Sequence, residues 1–315
     1  MWLNGTSDLI KLLKKKRVKR VALQFPEGLK RRSATVAAAL KDAGFEVVLS
    51  GDPCYGACDL ALDTLMHADI LVHFGHSPVD EQPGVIFEPY KVDFDVAVLE
   101  NALPFFKKGP VGLVTTVQHV HLIPAMELFL KAQGVACRVA EGGGRTPNRG
   151  QVLGCSFTAA KVTGAEEILF VGTGLFHPTG IALATHAHVI ALDPLTGSAQ
   201  VVSGDTLMRR RFAVMEKAGN AKSVGIIVST KSGQQRMDLA RRLASLSPDA
   251  VIVTMREVHP DELLNLGFAC YVNTACPRLA YDDQERFPVP VLSPQEFEIL
   301  CGARTWDTYT IDEIV

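Results

Sequence analysis

The sequence predicts an α/β protein of three pseudo-symmetric domains, each a parallel sheet flanked by helices, around a central cavity. Three observations predict it. First, short apolar runs rich in β-branched residues recur at residues 20–25, 110–116 and 223–230, the pattern of strands buried on both faces. Second, each run leads into an amphipathic helix and then another apolar run, which is the βαβ unit of a parallel sheet. Third, the interval from Cys58 to Asp69 equals that from Cys155 to Glu166, eleven residues (69 − 58 and 166 − 155). Equal intervals between matching strands point to duplicated domains, with a period too long for a solenoid.

In the first domain, strand 20–25 passes through Pro26-Glu27-Gly28 into a helix over 29–43 that ends at Gly44. A second strand, 45–50, feeds Gly51-Asp-Pro-Cys-Tyr-Gly-Ala-Cys58, and a helix is expected over 60–66. Cys58 would then sit near a helix N-terminus, where the backbone dipole favours thiolate. The third strand runs from Ala68 to Gly75, followed by His76-Ser77-Pro78. Residues 85–90 and 96–100 complete the domain, and 106–110 form the link to the next.

The second domain repeats the order: strand 110–116, helix 122–133, strand 135–140, Cys155, a helix, and strand 165–172 leading to Phe176-His177-Pro178. Its basic glycine-rich stretch, 142–150, reads as a mobile surface loop, or as an anion site or lid. The third domain opens with strand 223–230, helix 235–245 and strand 250–254, but carries its cysteine later. Strand 268–273 runs directly into Thr274-Ala-Cys276-Pro277-Arg278. The predicted domains are thus 1–108 with Cys58, 109–219 with Cys155 and 220–315 with Cys276. Loops after strand C-termini line the ligand crevice of open parallel sheets, and all three cysteines lie on such loops.

Composition narrows the function classes. Hydrophobic residues at 47% and charged residues at 21% describe a globular chain, and a net charge of −2 argues against broad nucleic-acid affinity. The one basic cluster, between Lys11 and Arg20, reads as the solvated face of an N-terminal helix. No apolar run reaches the roughly 18 residues of a membrane span. The first residues lack a basic head and apolar core, so no signal peptide is expected and the expected location is cytoplasmic.

Seven cysteines in a reducing compartment favour metal or catalytic roles for some and burial for the rest. Cys137, Cys270 and Cys301 lie in or beside apolar elements and read as small buried hydrophobes. Cys54 pairs with Cys58 at Cys-x-x-x-Cys spacing, yet Gln151 stands where its counterpart before Cys155 would be, so it is set aside as a ligand. Cys58, Cys155 and Cys276 remain. Three widely spaced thiolates suit a [4Fe-4S] cluster with one iron not held by protein. Zinc is the competing metal, with His76 or His177 completing a Cys3His set, although no close Cys-x-x-Cys pair is present.

The segments 51–59, 150–155 and 273–278, above all Tyr55-Gly-Ala-Cys58 with Ala275-Cys-Pro-Arg278, resemble the archaeal diphthamide-synthesis enzymes, 2-(3-amino-3-carboxypropyl)histidine synthases. The resemblance covers nearly the whole chain. It implies a homodimer of three-domain subunits whose cluster cysteines fall on Cys58, Cys155 and Cys276. It also implies S-adenosylmethionine at the open iron and transfer of a 3-amino-3-carboxypropyl radical to a histidine C2 of translation elongation factor 2. The electron would come from a donor protein, with no direct role for membrane or nucleic acid. Ser232, Gly233, Gln234 and Gln235, after the first strand of domain three, are expected to hold the cofactor's carboxylate; Glu27 and Gly28 occupy the matching loop of domain one. Helix capping is the competing role for both loops. Two other readings stay open: a quinolinate-synthase-like dehydratase, and a non-catalytic electron-relay or scaffold subunit.

Overall fold

The computed structural model contains three sheets that share one core strand order. It describes residues 3–107 and 109–314. Met1 and Trp2 of the expected leader-free N-terminus, Lys108 of the expected 106–110 link, and Val315 lie outside the described residues.

The first sheet comprises β1 (Arg20–Gln24), β2 (Glu46–Leu49), β3 (Ile70–Gly75) and β4 (Val85–Pro89), ordered β2-β1-β3-β4 and wholly parallel. The second comprises β5 (Val111–Thr115), β6 (Cys137–Arg138), β7 (Glu167–Val171), β8 (His188–Leu192) and β9 (Ala199–Val202). Its order is β6-β5-β7-β8-β9, with only β9 antiparallel. The third comprises β10 (Val224–Ser229), β11 (Ala250–Met255), β12 (Cys270–Asn273) and β13 (Val291–Leu292), ordered β11-β10-β12-β13 and parallel. In every sheet the first strand in sequence pairs with both the second and the third. The central strands β3, β5, β7, β10 and β12 are buried throughout, which is why they read as unbroken apolar runs.

The chain divides into two compact units, Met1–Tyr90 and Lys91–Val315. In the first, the N-terminal helix Leu3–Lys15 lays Leu9 and Leu13 into the core and leaves Lys11, Lys14 and Lys15 in solvent, as expected for the basic run. The expected helix over 29–43 is a 3₁₀ turn, Glu27–Arg32, continued by an α-helix, Ser33–Asp42, whose Val36 and Leu40 complete that core. Full burial of a leucine such as Leu13 or Leu40 contributes about 2 kcal/mol.

The second unit holds the other two sheets. The helix Ile123–Ala132 buries Met126 and Leu130 on one face of the second sheet, and the 3₁₀ segment Val96–Phe105 inserts Leu99 and Ala102 beside them. Around the third sheet, the helix Asp205–Ala218 carries Arg211, which is 1% exposed. Its guanidinium donates to Glu296 and to the Val291 carbonyl (2.7 Å), tying helix to sheet edge. Glu296 in turn completes a capping box with Ser293 at the start of helix Pro294–Leu300.

Two local expectations change. The expected helix over 60–66 is a single 3₁₀ turn, Leu62–Met66, that begins four residues after Cys58, so no helix dipole acts on this thiol. The expected strand 135–140 is only β6, two residues long.

Candidate metal centre

In the first unit, Cys58 lies on the loop after β2, at the carboxyl edge of its sheet. The loop is fastened from within by Gln24 at the end of β1. Its amide nitrogen donates to the Asp59 carbonyl (2.7 Å), and its oxygen accepts from the Ala61 backbone N–H (3.2 Å). Cys58 is half-buried, Cys54 is buried, and Tyr55 between them is 62% exposed.

The same Gln24 oxygen meets His73 Nδ1 at 2.8 Å, and His73 Nε2 meets His76 Nδ1 at 3.0 Å. Gly75 turns the chain between strand and histidine at φ +97°, and a Cβ there would lie 2.9 Å from Pro26 Cγ. Sulfur of Cys54 and ring nitrogens of His73 and His76 all lie within 4.8 Å of one another. Burial lowers the His73 pKa to about 3, with His76 adding to the effect, and lowers His76 to about 4. Neither histidine-rich contact was visible as a network in the sequence. The available signal was a histidine inside the otherwise apolar run 70–75.

In the second unit, the loops of Cys155 and Cys276 are joined by two sets of contacts. Arg278, two residues after Cys276, stacks its guanidinium 4.8 Å over the Phe176 ring. That ring packs directly on Gly154, where any Cβ would collide with it. The C-terminal segment supplies the second set. The Ile314 N–H donates to the Cys155 carbonyl (2.8 Å), and the Phe157 N–H donates to Glu313 (2.8 Å). Asp312 accepts from Arg236 (2.6 and 3.0 Å), and Arg236 Nε donates to the Thr274 carbonyl (2.6 Å) beside Cys276. No pattern in the tail 311–314 announces this clamp.

Cys155 and Cys276 are both half-buried, like Cys58, and all seven cysteines are thiols. Of the three set aside as structural, Cys270 is buried, while Cys137 and Cys301 are half-buried. Burial raises the thiol pKa of Cys137 and Cys301, and raises Cys270 to about 11, with Cys301 beside it adding to the effect. Such thiols resist the deprotonation that metal binding requires.

A family model described as "Putative diphthamide synthesis protein" matches residues 25–311. This chain belongs to the diphthamide-synthesis family. The 2-(3-amino-3-carboxypropyl)histidine synthase of Pyrococcus horikoshii is 38% identical over 98% of this chain and 93% of its own length. The enzyme of the same name from Methanocaldococcus jannaschii is 26% identical over 94% of this chain and 87% of its own. Subunit 1 of the human synthase is 29% identical over 91% of this chain and 69% of its own. The crystal structure of Dph2 from Pyrococcus horikoshii with a 4Fe-4S cluster superposes with a TM-score of 0.93, at 38% identity, covering 98% of this chain and 93% of that one. Membership in this family sets aside the dehydratase reading.

Cys58, Cys155 and Cys276 are each half-buried and each stand beside a small residue, Ala57, Gly154 or Ala275, and cysteine thiolate is the ligand type such a cluster takes. Of the loops expected to hold a cofactor carboxylate, Gly233 and Gln234 are buried while Ser232 and Gln235 are exposed. Arg145 of the glycine-rich stretch is itself buried and donates to the Gly233 carbonyl (2.9 Å), so this part of 142–150 is docked. Lys231 pairs with Glu257 at 2.7 Å. Glu27 and Gly28 are exposed at the end of β1, with Glu27 paired to Lys30 (2.6 Å).

Proposed function

We propose that this chain is a 2-(3-amino-3-carboxypropyl)histidine synthase acting in the first step of diphthamide formation. Cys58, Cys155 and Cys276 hold a [4Fe-4S] cluster. The co-substrate is S-adenosylmethionine, and the acceptor is C2 of one histidine in translation elongation factor 2. The observation that carries this reading is the end-to-end match to the Pyrococcus horikoshii synthase, whose structure contains the cluster, in a chain that keeps three strand-end thiols.

Chemistry favours a radical route. The imidazole nitrogens carry the lone pairs, so polar alkylation would strike nitrogen; C2 lies between them without one. When bound, the cluster supplies one electron at close range to a sulfonium. The chain's part is to hold and orient. The loop 231–235, in which Gly233 and Gln234 are buried and Ser232 and Gln235 exposed, offers backbone and amide donors for the cofactor's carboxylate, and Glu27-Gly28 sits on the matching loop of the first sheet. The exposed Tyr55 beside the cysteine pair suits contact with an incoming protein loop. A homodimer, a separate electron-donor protein and a cytoplasmic location complete the proposal. The described residues contain no helix long and apolar enough to cross a membrane.

The test is anaerobic reconstitution followed by mass spectrometry of elongation factor 2 after incubation with dithionite and S-adenosylmethionine. The proposal expects one aminocarboxypropyl group on one histidine. An unmodified acceptor with a fully loaded cluster would overturn it.

A further inference from the structure

Substitution at an imidazole C2 releases a hydrogen, and the proposed reaction assigns it no destination. The Gln24–His73–His76 network supplies one. Gln24 cannot be turned over without breaking both of its backbone bonds, because its nitrogen donates to Asp59 and its oxygen accepts from Ala61. The oxygen facing His73 is therefore an acceptor, and His73 carries its proton on Nδ1. His73 Nε2 then offers a lone pair, and the 3.0 Å contact makes His76 the donor through Nδ1–H. Neutral His76 is left with its lone pair on Nε2. Among the described residues, His76 makes no hydrogen bond other than this one, and it is partly exposed while His73 is fully buried.

The two histidines lie at the carboxyl edge of β3, next to the cysteine-bearing loop after β2, with Cys54 sulfur within 4.8 Å of their ring nitrogens. The fold thus commits a buried glutamine and a buried histidine to fixing which nitrogen of His76 is basic. A purely structural histidine pair needs no such partly exposed, unprotonated end.

We propose that His76 Nε2 is the base that takes the proton from C2 of the acceptor imidazole, with His73 and Gln24 as positioning residues that fix its tautomer. This rests on the radical-transfer reading above. In the step, the γ-carbon of the aminocarboxypropyl radical bonds to C2. The C2–H bond then breaks, its hydrogen leaving as a proton to His76 Nε2. The remaining electron returns to the iron–sulfur cluster, which gave one electron when the carbon–sulfur bond was cleaved. The sum is redox-neutral and releases one proton, which the partly exposed ring passes to water.

The test compares wild type with His76→Gln, His73→Gln and Gln24→Leu in the cluster-loaded full chain. Expected for His76→Gln are unchanged iron content and visible absorbance, methylthioadenosine release within about twofold of wild type, and transfer to elongation factor 2 slowed about 100-fold, the scale of a lost general base. An acceptor deuterated at C2 should show a primary isotope effect in His76→Gln larger than in wild type. His73→Gln and Gln24→Leu should slow transfer about tenfold, with the same sparing of methylthioadenosine release. Independently of activity, nitrogen-15 spectra of histidine-labelled chain should show both rings protonated at Nδ1 at neutral pH. Equal loss of methylthioadenosine release and transfer in His76→Gln would place His76 in cofactor binding and overturn the proposal. So would unaltered transfer, or a cation bound one per chain and lost in Cys54→Ser, which would make the trio a metal site. Failure of wild type itself to cleave S-adenosylmethionine or modify the acceptor would instead sink the underlying reading.

Discussion

Replacing Asp312 by alanine should loosen the loops of Cys155 and Cys276 together. Asp312 is 2% exposed, and its carboxylate accepts two hydrogen bonds from Arg236, whose side chain is 14% exposed. Arg236 also reaches the Thr274 carbonyl, and the neighbouring Glu313 and Ile314 bond the backbone at Phe157 and Cys155. Deleting the carboxylate leaves a buried guanidinium without its counter-charge, and breaking a pair of this kind costs about 3–5 kcal/mol. Asp312→Asn keeps the shape and one acceptor, so it should cost about half as much. The assay is urea denaturation of the full chain followed by circular dichroism, with iron content after reconstitution as the second reading. The alanine variant should lose stability in that range and load less iron than asparagine. A loss below about 1 kcal/mol with full iron loading would refute the clamp.

Other outcomes follow from the same geometry. Alanine at Cys58, Cys155 or Cys276 should greatly reduce bound iron and visible absorbance, whereas Cys54→Ala should retain both; the reverse pattern would mean the ligands are misassigned. Gly154→Ala drives a methyl into the Phe176 ring under Arg278, and should cost about 1–3 kcal/mol and lower iron loading, as checked by thermal melting and iron assay. Stability should fall on acidification. His177 is held to about 4 by burial and then by Arg278, His76 to about 4 by burial, and His73 to about 3 by burial and then by His76, all below the unfolded value near 6.5. Between pH 6.5 and 4 the unfolded chain binds protons the folded chain refuses, so each histidine removes about 1 kcal/mol per pH unit. Denaturation midpoints that stay flat from pH 7 to 5, or a slope unchanged by His177→Gln, would contradict this.

Much of this was legible because it is written in local periodicity. Unbroken apolar runs such as 224–229 name parallel strands, and matched spacing from Cys58 and Cys155 to the next strand names the repeat. Where tertiary contacts decide, the sequence was silent. The stretch after Cys58 has helical spacing at Leu62, Leu65 and Met66, yet Gln24 pins Asp59 and Ala61, and only one 3₁₀ turn forms. Residues 96–100 read as the end of the first domain, but they belong to the segment Val96–Phe105, whose Leu99 and Ala102 bury against the second sheet. The acidic tail reaches Arg236 and Phe157 from 76 and 156 residues away, a pairing that no local signal encodes. The tautomer lock on His76 likewise joins three separate parts of the chain.

The most direct test of the central claim is product analysis from the reduced, cluster-loaded chain with S-adenosylmethionine and no acceptor. The account predicts methylthioadenosine and small aminocarboxypropyl products such as 2-aminobutyrate, formed only with reduced cluster and lost on exposure to oxygen. Release of 5′-deoxyadenosine and methionine instead, or full activity with the oxidised cluster, would contradict it.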